Sequence, residues 1–164
     1  SNYFEKIISE IKVLCKNFES KKNESVGLAY NYLTSDLSGM MSSKNISFED
    51  LKISPENFAE LVMLLLENKI SSKGAKVILE EMLLCNKNPE TIMMEKNLQQ
   101  VSDNSLIINF VKEVLDANPK AVSEYKEGKI NVIQFLLGQV MAKSKGSANP
   151  QAAKELLTQE LDSK

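Results

Sequence analysis

Histidine and arginine are both absent from this 164-residue chain, and with them go the side chains that carry most acid–base and phosphate chemistry. Without histidine the chain lacks the commonest general base and zinc ligand. Without arginine it lacks the planar fork that grips a phosphate or a guanine edge through two hydrogen bonds. All 20 basic residues are lysine, so any anion must be bound through point charges.

The acidic residues do not form a catalytic pattern either. The nearest approaches to paired carboxylates are Glu80 with Glu81, and Glu124 with Glu127. Adjacent side chains on a helix point apart, so we interpret these glutamates as solvated surface residues. Neither a phosphate-binding G-x-x-x-x-G-K-[ST] loop nor a G-x-G-x-x-G turn is present. The sequence therefore predicts a binding or scaffolding piece that is not catalytic alone.

The strongest polar signal is a lysine-flanked turn near the end of the chain. Lys143, Lys145 and Gly146 precede the helix start Asn149-Pro150. These residues could simply end a helix, because lysine favours the negative helix terminus and glycine adopts the left-handed C′ conformation. They could equally face a negatively charged partner. Gly138, inside the preceding helix, has the same two interpretations: close helix packing, or close approach of a ligand backbone.

Helical periodicity of apolar residues dominates the chain. It predicts helices over residues 3–19, 25–42, 55–68, 72–86, 89–96, 104–117, 119–127, 129–143 and 150–161, with a polar break at 19–24 and a linker over 43–54. No stretch shows strand alternation with hairpin signals. We therefore expect an all-α fold of seven to nine helices, arranged as two or three small bundles in series.

Each of the four prolines is preceded by serine or asparagine. The pairs are Ser54-Pro55, Asn88-Pro89, Asn118-Pro119 and Asn149-Pro150. This pattern is typical of a capping side chain followed by proline in the first helical position. Ser102 and Asp103 are predicted to cap the 104–117 helix. The prolines thus mark where four helices start.

Composition limits the remaining possibilities. The net charge of −2 creates no global field that would attract nucleic acid, so only a local lysine patch could bind it. No signal peptide or membrane span is evident, and we expect a cytoplasmic protein that binds neither membrane nor DNA. Cys15 and Cys85 are interpreted as reduced, buried thiols. Because Ser1 opens the chain in place of Met, we expect an excised fragment.

Several segments resemble, in order, the YqeY-like tail of GatB, the B subunit of aspartyl/glutamyl-tRNA(Asn/Gln) amidotransferases. They are ISPENFAELV (53–62), KISSKGAKVILEEML (69–83), NLQQVSD (97–103), NPKAVSEYKEGK (118–129) and FLLGQVMAKSKGSANPQAAKELL (135–157). Residues 25–42 look like the end of the helical segment before that tail, which favours a fragment of GatB over a free-standing YqeY-like protein. Two positions depart from the family: Gln134 replaces a usual glycine, and Ala142 a usual lysine.

The resemblance implies a domain organisation. Residues 1–52 would end the preceding helical domain, 53–98 would form a first YqeY-like subdomain and 99–164 a second. It also implies that ATP and Mg²⁺ bind the large N-terminal part of GatB, outside this chain, so no cofactor is expected here. The A and C subunits of the amidotransferase are the implied protein partners.

The resemblance further implies that the tail holds mischarged tRNA(Gln) or tRNA(Asn) while ammonia converts the acyl group to the amide. The candidate tRNA-binding residues are Lys126, Lys129, Gln139, Lys143, Lys145, Gly146 and Asn149. The lysines would supply charges to phosphates, Gly146 a backbone N–H, and Gln139 and Asn149 polar contacts. The alternative is a helical docking module for proteins, with no RNA role.

Overall fold

The computed structural model describes residues 2–163 and is built from α-helices. In chain order they are α1 (Asn2–Leu14), α2 (Phe18–Asn31), α3 (Ser38–Ser43), α4 (Pro55–Leu66), α5 (Ser72–Leu84), α6 (Pro89–Glu95), α7 (Asn104–Ala117), α8 (Pro119–Lys126), α9 (Val132–Lys143) and α10 (Pro150–Asp162). A π-helical segment, Tyr32–Leu37, makes α2 and α3 continuous. Within residues 2–163 no β-strand is formed, and the predicted all-α class is confirmed. Every helix among residues 2–163 is too short or too polar to span a lipid bilayer.

The first predicted helix boundary was wrong. The polar residues at 19–24 were expected to separate two helices, but α2 runs through them and the break lies at residues 15–17. Glutamate and lysine are good helix formers, so their polarity marks an exposed face and does not mark a helix end. Phe18, the first residue of α2, is buried.

The prediction for the cysteines is confirmed in part. Cys15 is buried as predicted, whereas Cys85 is only half-buried.

Side-chain capping explains the starts of α4, α5, α6, α7 and α10. Ser54, Asn88 and Asn149 each accept a hydrogen bond from a backbone N–H in the first turn that follows, as predicted. Asn118 does not: its side-chain amide instead donates to the carbonyl of Val114 at 2.8 Å. Asn118 lies between α7 and α8, which are adjacent in the chain. Its side chain bonds to the last turn of α7, so α8 begins without a side-chain cap. Asp103, and not Ser102, caps α7.

Five helices end in one recurring turn, the Schellman motif. The residue after the C-cap has positive φ, and two N–H groups bond back to the last helical carbonyls. The left-handed residues are Asn45, Asn68, Asn97, Gly128 and Lys145. Asparagine and glycine tolerate this conformation at little cost, whereas lysine does not. Lys145 is therefore the exception within this set.

The first compact unit extends to Gln99 and surrounds α4. Helices α1, α2, α5 and α6 all pack against α4, whose Phe58, Leu61 and Val62 are fully buried. Burying one such side chain stabilises the fold by about 1.5–3 kcal/mol. Helices from both sides of the predicted linker thus share one core, and the domain bounds 1–52, 53–98 and 99–164 remain a prediction.

Tyr3 holds the linker against this core. Its hydroxyl donates a 2.8 Å hydrogen bond to the carbonyl of Ile53. Its ring meets the rings of Phe48 and Phe58 edge-on, with centroids 6.4 Å away in each case. Burial, followed by the nearby Glu56 carboxylate, raises the pKa of Tyr3, so the hydroxyl remains a donor. The linker is therefore a fixed part of the first unit.

The second compact unit starts at Gln100 and packs α7, α9 and α10 together, with α8 against α9 and α7. Ile107, Leu136 and Leu157 are its largest fully buried side chains. An isolated parallel bridge joins Val101 to Ala148, near the start of α10. The lysine turn predicted to carry function lies between α9 and α10.

Candidate nucleic-acid interface

Helix α9 buries one face and leaves the other open. Ile133, Leu136 and Val140 enter the core of the second unit. The exposed positions are Gln134, Phe135, Gly138, Gln139, Ala142 and Lys143. Lys143 is the only charged residue on α9. The open face therefore combines an aromatic ring, two small residues, amide groups and one positive charge.

Gly138 does not serve packing within this chain. A Cβ atom built at this position would have no heavy atom within 4 Å beyond its own helix. Glycine inside a helix costs about 1 kcal/mol relative to alanine, and no close helix contact accounts for that cost. The interpretation that Gly138 permits close packing of a neighbouring helix is therefore wrong. Close approach of a partner is the interpretation left from the sequence.

The turn after α9 places Lys145 where glycine was expected. Ser144 is the C-cap and Lys145, at φ +56°, occupies the left-handed C′ position, while Gly146 follows at φ +77°. The N–H of Lys145 donates to the carbonyl of Ala142 at 3.1 Å, and that of Gly146 to Met141 at 2.8 Å. The predicted helix end is present, but the lysine and not the glycine adopts its key conformation.

The backbone N–H groups of residues 146–149 in this turn already donate hydrogen bonds within the chain and are not free to bind an anion. The N–H of Gly146 already donates to Met141, so it is not the free donor that the sequence suggested. The N–H groups of Ser147, Ala148 and Asn149 likewise bond within the chain. Phosphate binding at this turn would therefore depend on its side chains, chiefly Lys145.

The side chain of Asn149 also has hydrogen-bond partners within the chain. Its side-chain oxygen accepts from the N–H groups of Gln151 and Ala152 at 3.0 and 3.3 Å, and its amide nitrogen lies 3.3 Å from the hydroxyl of Ser102. Capping is thus its structural role, and contact with RNA remains a prediction. Gln139, in contrast, is exposed on α9.

Lys143 forms an ion pair with Glu113 on α7. Its ammonium nitrogen lies 3.2 Å from the carboxylate, and both side chains are at least half exposed. A solvated pair of this kind contributes little to stability, typically about 0–1 kcal/mol. The pair nevertheless holds the positive charge next to a negative one, so an incoming phosphate would have to compete with Glu113.

Lys126 and Lys129 lie at the opposite end of α9 from Lys143 and Lys145. Lys126 ends α8 and Lys129 lies in the connection before α9. Helix α9 has 12 residues, which span about 18 Å at about 1.5 Å per residue. The structure therefore groups the four lysines in two pairs along one helix.

The segment from Gly128 to Lys154 contains four lysines and neither aspartate nor glutamate. This run of 27 residues includes all of α9 and the lysine turn. A local positive bias thus exists within a chain of net charge −2. The run of positive charge is visible in the sequence, and it contains all of the predicted residues except Lys126.

Two residues of this surface were not predicted from the sequence. Phe135 is 52% exposed. Its spacing from the buried Ile133 and Leu136 places it outside the apolar stripe of α9, so the sequence does carry a signal of its exposure. Glu113 is separated from Lys143 by 30 residues, and no sequence signal joins the two. Within residues 2–163, no group of three or more His, Cys, Asp or Glu is arranged to hold a metal ion.

Comparison with known proteins adds independent information. The family model described as GatB domain matches residues 16–161. The chain is 42% identical over 142 residues to the B subunit of the aspartyl/glutamyl-tRNA(Asn/Gln) amidotransferase of Treponema denticola, covering 87% of this chain and 29% of that protein.

Two further relatives of the same name cover nearly the whole chain. Identity is 40% over 164 residues for the protein of Rickettsia felis and 36% over 164 residues for that of Prochlorococcus marinus. Each match covers 99% of this chain and 34% of the relative. The chain therefore spans about a third of the length of the curated relatives it matches.

Proposed function

Because the chain belongs to the GatB domain family, we propose that it is the tRNA-binding tail of GatB in an aspartyl/glutamyl-tRNA(Asn/Gln) amidotransferase. The printed names of the relatives assign them to this enzyme. In the proposed role the tail holds mischarged tRNA(Gln) or tRNA(Asn), while the rest of GatB, with the A and C subunits, carries out the ATP-dependent amidation. The tail itself contributes no catalytic group.

The observation that carries the RNA-binding part of this proposal is the conformation of Lys145. Four other helices of the chain end in the same turn with asparagine or glycine in the left-handed position. Lysine there costs roughly 1–2 kcal/mol of backbone strain. Strained residues that break a local rule concentrate at functional sites. Lys145 thus keeps a positive charge at a position where the backbone favours another residue.

In the proposed contact, side chains of the tail recognise the sugar–phosphate surface of the tRNA. The major groove of an RNA helix is too deep and narrow for side chains, so recognition uses phosphates, 2′-hydroxyls and exposed loops. Lys143 and Lys145 would meet phosphates at one end of α9, and Lys126 and Lys129 at the other. Gly138 would let the RNA backbone approach between them.

Gln139 and Ala142 complete this proposed surface. Both are exposed on the open face of α9. Gln139 would supply a polar contact to a 2′-hydroxyl or a base edge. Ala142 is too small to hold the RNA away from the helix.

Replacing Lys143 and Lys145 together by alanine tests the proposal. Binding of tRNA(Gln), tRNA(Asn) and a non-cognate tRNA is measured by gel shift at several salt concentrations. Affinity should fall about equally for all three, because phosphates carry no direct sequence information. The slope of log K against log salt should become shallower by about one to two units. Thermal stability should change little.

The matched control is Lys6→Ala with Lys22→Ala, which removes the same charge from exposed helix positions of the first unit. It should leave the salt slope unchanged. Equal slopes for the two double variants would refute the proposed surface and favour the docking-module alternative. Turnover of ATP or glutamine by the highly purified chain would contradict the non-catalytic role.

A further inference from the structure

We propose that Phe135 stacks on an unpaired nucleobase of the bound RNA, in a groove between the start of α8 and the start of α9. This inference rests on the proposed RNA-binding function and adds base recognition to it. Phe135 is 52% exposed although it lies in a regular helix. Within residues 2–163 no other aromatic ring and no cation stacks on it. Its ring face is therefore open to a partner.

The groove beside Phe135 has walls that suit a flat ring. Val132 and Phe135 line it from α9, and residues 117–121 with Glu124 line it from the end of α7 and from α8. Half of the residues in this second wall are small and apolar: Ala117, Pro119 and Ala121. The volume of the groove is about 480 Å³. Unpaired bases bind in such sites by stacking between aromatic and apolar side chains.

Polar groups at the same groove suit a nucleotide. Asn118 and Lys120 also line it, and they offer an amide oxygen for a base edge and a charge for a phosphate. The two charged side chains that line the groove, Lys120 and Glu124, have opposite signs, whereas every charged residue from Gly128 to Lys154, along α9 and the turn after it, is lysine. This positive segment beside the groove favours a polyanion over an apolar helix of another protein.

Gly138 connects this groove to the lysine turn. It lies one helical turn after Phe135 on the exposed face of α9, and Ala142 lies one turn further. Neither residue has a side chain large enough to hold a polymer away from the helix. A strand whose base stacks on Phe135 can therefore continue along α9 towards Lys143 and Lys145.

Phe135→Ala and Phe135→Leu test the inference. Both variants remove the aromatic ring, but leucine keeps a large apolar side chain, so the pair distinguishes stacking from simple apolar contact. Loss of a stacked base should weaken binding of a tRNA(Gln) transcript by about 5- to 150-fold. Leucine should not rescue it, whereas Phe135→Trp should. Because no charge is removed, the slope of log K against log salt should stay at the wild-type value. Phe48→Leu, at a similarly exposed phenylalanine of the first unit, should bind as wild type.

Phe135→Trp supplies a second readout. The chain has no tryptophan, so the new indole is the only one and its fluorescence reports on this groove. Emission should be quenched by the tRNA(Gln) transcript and not by a fully paired RNA duplex of equal length. Unchanged emission at saturation, equal quenching by the duplex, or full affinity of Phe135→Leu would overturn the inference.

Two outcomes identify what failed. If the wild-type chain binds no tRNA, the proposed function itself is wrong. If it binds tRNA with the expected salt slope but the Phe135 variants behave as wild type, only the stacking inference is wrong. A change in sedimentation from dimer to monomer in Phe135→Ala would assign this face to self-association and also overturn it.

Discussion

The ammonium group of Lys143 lies 3.2 Å from the carboxylate of Glu113, so α9 and α7 are joined by an ion pair at the edge of the proposed RNA surface. Half-exposed pairs of this kind add little to stability. Their larger effect is on binding, because a carboxylate beside a lysine repels phosphate and occupies its partner. Glu113 thus weakens the charge that the helix end presents.

Glu113→Gln should strengthen tRNA binding. The substitution frees Lys143 and removes one repulsive charge, which we expect to raise affinity by about 1.5- to 5-fold at low salt. The gain should shrink as salt increases. Glu160→Gln on α10 makes the same charge change elsewhere in the second unit and serves as the control. A gain of equal size for both variants would show that only net charge matters.

Lys145→Gly should stabilise the second unit while weakening RNA binding. Glycine adopts positive φ without the Cβ clash, so the free energy of unfolding should rise by about 1 kcal/mol. Lys145→Ala keeps the clash and should give no such gain. Both variants lose one charge, and each should reduce the salt slope by about one unit. Urea unfolding and gel shifts on the same preparations separate the two effects.

Gly138→Leu should also stabilise the fold, by about 1 kcal/mol, because leucine is a good helix former and the space beside Gly138 is empty. On the proposed surface its bulk should block the RNA backbone and weaken tRNA binding. Gly39→Leu is the matched control: a Cβ there also meets nothing within 4 Å. If both glycine variants bind tRNA as wild type, the α9 face is not the contact surface.

Glu60→Gln should reveal a pH-dependent cost in the first unit. Burial, followed by the charge of Glu90, raises the pKa of Glu60. An acid with a raised pKa in the folded state destabilises the fold once the pH rises above its unfolded value, about 4.3. Glutamine should therefore increase stability at about pH 7, modestly because the carboxylate is only partly buried, and the gain should vanish below about pH 4. A difference independent of pH would contradict this.

Much of the fold could be predicted from local sequence. Three Ser/Asn-Pro pairs cap helices because capping needs only neighbouring residues. Asn118 shows the limit: it adjoins two helices and bonds to the one before it. The family was also recognisable from short segments such as the one around Gly138, and the match over residues 16–161 confirms it.

The candidate site was less predictable because it depends on tertiary neighbours. The sequence singles out Lys143 and Lys145 but cannot show that Glu113 pairs with one of them or that the other adopts positive φ. It could not decide whether Gly138 serves packing, since that depends on the absence of a neighbour. Phe135 was missed although its place outside the apolar stripe of α9 signals an exposed ring; what the sequence could not show is the groove that α8 forms beside it.

The bridge between Val101 and Ala148 has a consequence for the order of folding. The N–H of Asn149 donates to the carbonyl of Val101 at 2.7 Å, and the N–H of Val101 donates to the carbonyl of Ser147. These bonds close a long loop around α7, α8 and α9, and loop closure on this scale carries an entropic penalty that local helices do not. We expect contacts so distant in sequence to form after the local helices, because the entropy of loop closure must be overcome first. We therefore expect the connection after Lys145 to reach its final geometry only when the start of α10 is in place, so that a nascent chain would complete the proposed RNA surface late in the folding of this unit.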